Sequence, residues 1–218
     1  MSRYFIELAY KGTQFKGFQL QHHVATVQGE VNAALRILLK ESVETTTSSR
    51  TDAGVHALQN FLHFDTEVLL KPSFIYNINA ILHPDILVKN IIAVNADAHA
   101  RFDASSRKYA YHIINTKHPF LKETAWHMPF KTDIDLMNEA AQKLMQHTNF
   151  ESFSKRNTDV KTFECNIHIA YFEKMNEEII FHVASNRFLR GMVRALVATL
   201  ILVGRKKVSL SAFEKIIA

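Results

Sequence analysis

One cysteine, Cys165, in 218 residues excludes an intrachain disulfide and any cysteine-built metal cluster. A reducing, cytoplasmic setting is the expectation that follows. Glycine and proline are also scarce, at six and four residues, against roughly 12% combined in ordinary proteins. Long irregular loops should therefore be few, and each glycine should answer a particular backbone need. Long hydrophobic runs are missing as well. The longest, Ala195 to Gly204, is about half of the roughly 20 residues that a membrane-spanning helix requires. Met1 to Lys11 carries Arg3 and Glu7 within its apolar pattern, so it lacks a signal-peptide core and is expected to open the fold. What remains is the composition of a folded protein, 47% apolar and 22% charged, which excludes disordered, collagen-like and disulfide-scaffold classes.

Acid is what the C-terminal region lacks. Arg187, Arg190, Arg194, Arg205, Lys206 and Lys207 fall in one stretch without Asp or Glu. They account for the whole of the net charge of +5. Charge gathered this way fits an anionic partner, phosphate foremost, and fits equally a solvated helix face followed by a basic tail. On a helix from Arg187 to Val203, the three arginines would form one row beside the stripe Leu189, Met192, Val193, Leu196 and Leu200.

Hydrophobic periodicity divides the chain into two similar rounds. Tyr4, Ile6, Leu8 and Tyr10 alternate as a strand, followed by a loop from Lys11 to His23. Thr26 caps a helix with Val27, Val31, Ala34, Leu35 and Leu38. Strands are expected at Val43 to Ser49, Leu58 to Asp65 and Ile86 to Val94, the last as a buried strand, with a helix through Ile75, Ile78 and Ile81 between the last two. The second round has a strand at Ser105 to Asn115 and a helix opened by Asp133 or Asp135. A hairpin of Thr162 to Met175 and Glu178 to Ser185 turns at Asn176, and the basic helix follows it. Ser209 or Ser211 can cap a last helix holding Phe213, Ile216 and Ile217. The fold class is α+β, two βαβ-rich halves with helices on mixed or antiparallel sheets, divided near residues 96 to 104.

One segment carries chemistry. Ser49-Arg50-Thr51-Asp52-Ala53-Gly54-Val55-His56 sets a carboxylate two residues from a guanidinium in a tight turn, where Gly54 can take positive φ. By composition alone this is an Asx-type turn between strands. Its run from Arg50 to His56 resembles the catalytic loop of the TruA family of tRNA pseudouridine synthases. The resemblance continues elsewhere. Tyr10 to Gln21, with Gly12, Gly17, Phe18, Gln19 and Gln21, resembles the family's N-terminal motif, Phe18 standing for its usual tryptophan. Ala100-Arg101-Phe102 through Arg107-Lys108-Tyr109-Ala110-Tyr111 resembles the second motif, and Phe188 to Arg194 the third.

That resemblance implies two RRM-like α/β subdomains, 1–100 with the catalytic loop and 101–218 with the basic helix, joined around a central cleft. It also implies a closing strand for which the residues up to 218 offer no counterpart. The implied reaction converts uridine to pseudouridine at positions thirty-eight to forty of the anticodon arm. No cofactor or metal is needed, and the partners are tRNA and a second copy of the chain, with no membrane. The resemblance makes Asp52 the nucleophile, attacking either uracil C6 or ribose C1′, and Arg194 the cation that keeps it ionised. It makes Tyr109 the ring that stacks on uracil and a candidate for handling its proton, and Arg50 the residue that fills the gap left by the flipped nucleotide. Arg187, Arg190, Arg205, Lys206 and Lys207 form an electrostatic surface for RNA. His56 reads as a brace for the loop, with catalysis as the lesser alternative. The rival functions are a binding-only RRM-like chaperone or scaffold, and a synthase for another RNA.

Overall fold

The computed structural model describes residues 1–155 and 160–217. The chain divides into two compact units, Met1–Ala104 and Ser105–Ala218. Each unit has its own four-stranded sheet and its own apolar core.

The first unit runs β1 (Ser2–Tyr10), α1 (Val27–Leu39), β2 (Thr46–Thr47), β3 (Ala57–Thr66), α2 (Phe74–Ile81) and β4 (Ile86–Val94). Its sheet has the order β2-β3-β1-β4 with every neighbouring pair antiparallel, the split βαβ arrangement of RRM-like domains. Alternation in β1 sends Tyr4, Ile6, Leu8 and Tyr10 into the core, because successive strand side chains leave opposite faces. Leu62 and Phe64 of β3 and Val31 and Leu35 of α1 meet them in the same core. The Thr26 hydroxyl accepts from Gly29 N at 3.2 Å and fixes the start of α1. Only two residues of the expected strand at Val43 to Ser49 pair with β3. Thr45 O instead accepts from Gln28 Nε2 of α1, so its carbonyl serves the helix rather than the ladder.

The second unit runs β5 (Arg107–Ile114), β6 (Trp126–His127), α3 (Ile134–Leu144), β7 (Ile167–Met175), β8 (Glu178–Ser185), α4 (Met192–Gly204) and α5 (Leu210–Ile217). Its sheet has the order β6-β5-β8-β7. The sequence β5-α3-β7-β8-α4 repeats β1-α1-β2-β3-α2 of the first unit. In this correspondence β6 stands beside β5 where β4 stands beside β1, but it is parallel and pairs through two residues only, Trp126 and His127. The Asp133 side chain caps α3 by accepting from Leu136 N. Asn176 takes φ 53 in the β7–β8 turn, and the Ser209 hydroxyl accepts from Ala212 N at the start of α5.

Two further elements start later than their apolar patterns suggest. The residues before β7 pair elsewhere: Cys165 N donates to Thr148 O, and Phe150 N to Phe163 O. Similarly, α4 begins at Met192 because Gly191 takes φ 76, and Met192 N closes a turn onto Leu189 O. Arg187 and Arg190 thus precede the helix, and the row of three arginines does not form; only Arg194 lies on α4. The apolar stripe is nonetheless real, with Leu189, Met192, Leu196 and Leu200 all buried. Among the described residues no helix is long and apolar enough to cross a membrane.

Candidate functional site

The Arg50 to His56 loop leaves the sheet of the first unit between β2 and β3. At its entry, Ser48 N donates to Phe61 O at 2.8 Å and the Ser48 hydroxyl to Asn60 Oδ1 at 2.8 Å. Arg50 is exposed, while Thr51 and Asp52 are half-buried. Thr51 O accepts from Phe18 N at 3.0 Å, and Asp52 O accepts from Val55 N at 3.2 Å, closing the turn in which Gly54 takes φ 78. Among the described residues no three of His, Cys, Asp and Glu stand together as a metal-ligand set.

The loop rests on the segment after β1, and this explains two of the scarce glycines. A Cβ on Gly12 would lie 2.1 Å from Val55 O, and one on Gly17 2.9 Å from Thr51 O. Backbone meets backbone at both places, so no larger residue fits without displacing the loop. His56 completes the junction. Its Nδ1 accepts from Gly12 N at 2.9 Å, which places the neutral ring's proton on Nε2 and gives His56 a bracing contact. Phe18 is fully buried in the same core, with its ring centroid 5.8 Å from that of Tyr10.

Beneath the loop lies a buried polar group that the alternation pattern had hidden. Tyr10, read as a core residue, is 4% exposed, yet its hydroxyl stands 2.8 Å from Thr51 Oγ1 and 3.2 Å from Asn60 Nδ2. Asn60 is 5% exposed and also donates to Ser49 O at 3.1 Å. One signal in the sequence could have found it. Asn60 breaks the apolar series Leu62, Phe64 on the buried face of β3, and a polar residue at such a position needs partners.

The second unit holds the other candidate residues. Tyr109 on β5 is half-buried against the core, its ring edge-on to Phe188 at 5.2 Å between centroids. Tyr111 is on the same face of β5. Burial pushes its phenol up, and the charge of Arg194 from the first turn of α4 opposes that shift. Arg187 is half-buried beside a polar hollow of about 440 Å³ that it lines with Thr148, Thr162 and Asn186. Arg190 is exposed, its carbonyl accepting from Lys155 N. The last three basic residues follow α4, where cations complement the helix C-terminus. The Arg205 guanidinium carbon lies 3.8 Å from the centre of the Phe130 ring. Lys206 Nζ lies 3.4 Å from Asp133 Oδ2, and Lys207 is exposed. Arg205 and Lys206 thus tie the end of α4 to the entry of α3.

A family model described as tRNA pseudouridine synthase matches residues 140–218. The chain is 43% identical over 221 residues to the tRNA pseudouridine synthase A of Bacteroides thetaiotaomicron, with 100% of this chain and 82% of that protein covered. It is 42% identical over 219 residues to the enzyme of the same name from Parabacteroides distasonis, covering 100% and 87%. With the Staphylococcus aureus protein of that name the identity is 35% over 218 residues, covering 99% and 82%.

Proposed function

This chain belongs to the tRNA pseudouridine synthase family, and from that premise we propose that it isomerises uridine to pseudouridine at positions thirty-eight to forty of the tRNA anticodon arm. The uracil N1–C1′ bond breaks, the base turns, and C5 bonds to C1′. The proton lost from C5 balances the one gained at N1. Nothing is oxidised, and one carboxylate that attacks and is then released suffices, so Asp52 is the nucleophile. Arg194 is the cation that favours its ionised form, Tyr109 stacks on the base, and Arg50 occupies the space of the flipped nucleotide. Arg187, Arg190, Arg205, Lys206 and Lys207 contribute phosphate contacts. The enzyme works as a cytoplasmic homodimer without cofactor or metal.

What carries this reading is the match at 43% identity along the whole chain. Support from the site is the support given to Asp52: the entry of its loop is fastened to β3 and its far end to the segment after β1, while Arg50 stays exposed. The test is to incubate the purified protein with unmodified tRNA transcripts and map pseudouridine by carbodiimide-dependent reverse-transcription stops. Stops confined to uridines thirty-eight to forty, lost when those are changed to cytidine, are expected. Stops confined to other positions would reject the site assignment, and their complete absence would reject the activity.

A further inference from the structure

We propose that Tyr10 and Asn60 are positioning residues that hold the Arg50–Asp52 turn in its reactive shape through the Thr51 hydroxyl; this rests on the reading of Asp52 as nucleophile. The Asn60 carboxamide has its full hydrogen-bonding capacity in use, three of its four bonds being made with Ser48, Ser49 and Tyr10. Its Nδ2 donates to Ser49 O at 3.1 Å and to the Tyr10 hydroxyl at 3.2 Å. Its Oδ1 accepts from the Ser48 hydroxyl at 2.8 Å and from Phe61 N at 2.9 Å. Two donors and two lone pairs are all that an asparagine side chain has. The Tyr10 hydroxyl carries the chain of contacts to Thr51 Oγ1 at 2.8 Å. Ser49 and Thr51, the residues on either side of Arg50, and Ser48 before them are thereby held from below by groups on two neighbouring strands.

Burial makes this arrangement more than decoration. Tyr10 and Asn60 are 4% and 5% exposed, on faces of β1 and β3 where Ile6, Leu8, Leu62 and Phe64 are fully or almost fully buried beside them. A leucine at either place would satisfy the core. Buried polar groups are tolerated only when paired, and here Ser48, Ser49 and Thr51 supply partners. A carboxylate nucleophile must meet carbon within a few tenths of an ångström of one position, and a displacement of about 1 Å can cost as much as a hundredfold in rate.

The experiment compares wild type with Tyr10→Phe, Thr51→Val, Thr51→Ser and the double variant Tyr10→Phe/Thr51→Val. Single-turnover tritium release from C5-labelled tRNA at saturating enzyme is measured together with tRNA affinity and melting temperature. Tyr10→Phe and Thr51→Val should each slow release about tenfold while affinity stays within about twofold of wild type. Thr51→Ser should restore the rate, and the double variant should be no slower than Tyr10→Phe alone, because the Tyr10–Thr51 contact is already gone in that single variant. Rates within about twofold of wild type for the two hydroxyl deletions would overturn the proposal. So would a double variant whose loss is the product of the single losses, or slowing matched by an equal fall in affinity. Should Tyr10→Phe not fold, Thr51→Val against Thr51→Ser decides alone. Asp52→Ala separates the two levels. If it releases tritium like wild type, the nucleophile reading falls and takes this inference with it; if it is silent while Thr51→Val is normal, only the positioning role falls.

Discussion

The residues that shape the loop divide by how their signals are written. Arg50, Asp52 and Gly54 are legible because the motif is contiguous, and Gly54 does take the left-handed φ of 78 that its place in a turn suggests. Tyr10 and Gly12 fall in the N-terminal motif, but their contacts and those of Asn60 are not legible, because the partners lie in chain segments about forty to fifty residues apart that only folding brings together. Gly12→Ala measures one of these contacts. The added methyl would meet the Val55 carbonyl rather than a side chain that can turn aside, so urea unfolding should show a loss of about 1–3 kcal/mol. Arg205 is a second residue whose partner was hidden. Placed over the Phe130 ring, it should contribute about 0.5–1 kcal/mol of cation–π attraction, and Arg205→Ala should lower the unfolding midpoint accordingly.

Elements with one buried and one solvated face were the easiest to read. β1 shows it, with Tyr4, Ile6, Leu8 and Tyr10 buried as their alternation indicates, whereas β4, expected as a buried strand, has the expected bounds Ile86–Val94 but buries only Ile86 and Val88. Apolar spacing failed where it continues through a turn, as from Leu189 into α4, because burial alone does not distinguish a helix from a compact loop packed on the same core. The segment after β4 provides a test at this scale. His63 on β3 is buried and its Nδ1 accepts from Ala100 N at 3.1 Å. Burial first, then the charges of Arg3 and His99, hold its pKa below the ordinary histidine value, against the opposing carboxylates of Asp65 and Asp103. The folded state keeps this ring neutral, whereas the unfolded chain takes up a proton below about pH 6.5. Its stabilisation is therefore complete above that pH and is lost as the pH falls through the folded value. Melting temperatures of wild type should fall from about pH 7 to pH 5, and His63→Gln should flatten that fall.

At the scale of the whole molecule, the six basic residues from Arg187 to Lys207 were visible as charge and invisible as structure. Arg205 and Lys206 have partners within the second unit, whereas the Arg190 and Lys207 side chains are exposed. If all contribute to RNA binding, Arg190→Ala and Lys207→Ala should each reduce the slope of log affinity against log salt by about 0.7–0.9 without lowering the melting temperature. The repetition of the first unit's β1-α1-β2-β3-α2 order in the second gives the chain two RRM-like bodies. Asp52, the proposed nucleophile, belongs to the first, and Tyr109 and Arg194 to the second. The central claim is that Asp52 performs the chemistry, and tritium release from tRNA labelled at uridine C5 measures that chemistry directly. Wild type should release one tritium for each uridine isomerised, and Asp52→Asn, with tRNA affinity and melting temperature preserved, should release none above background. Release by Asp52→Asn at the wild-type rate would contradict the account.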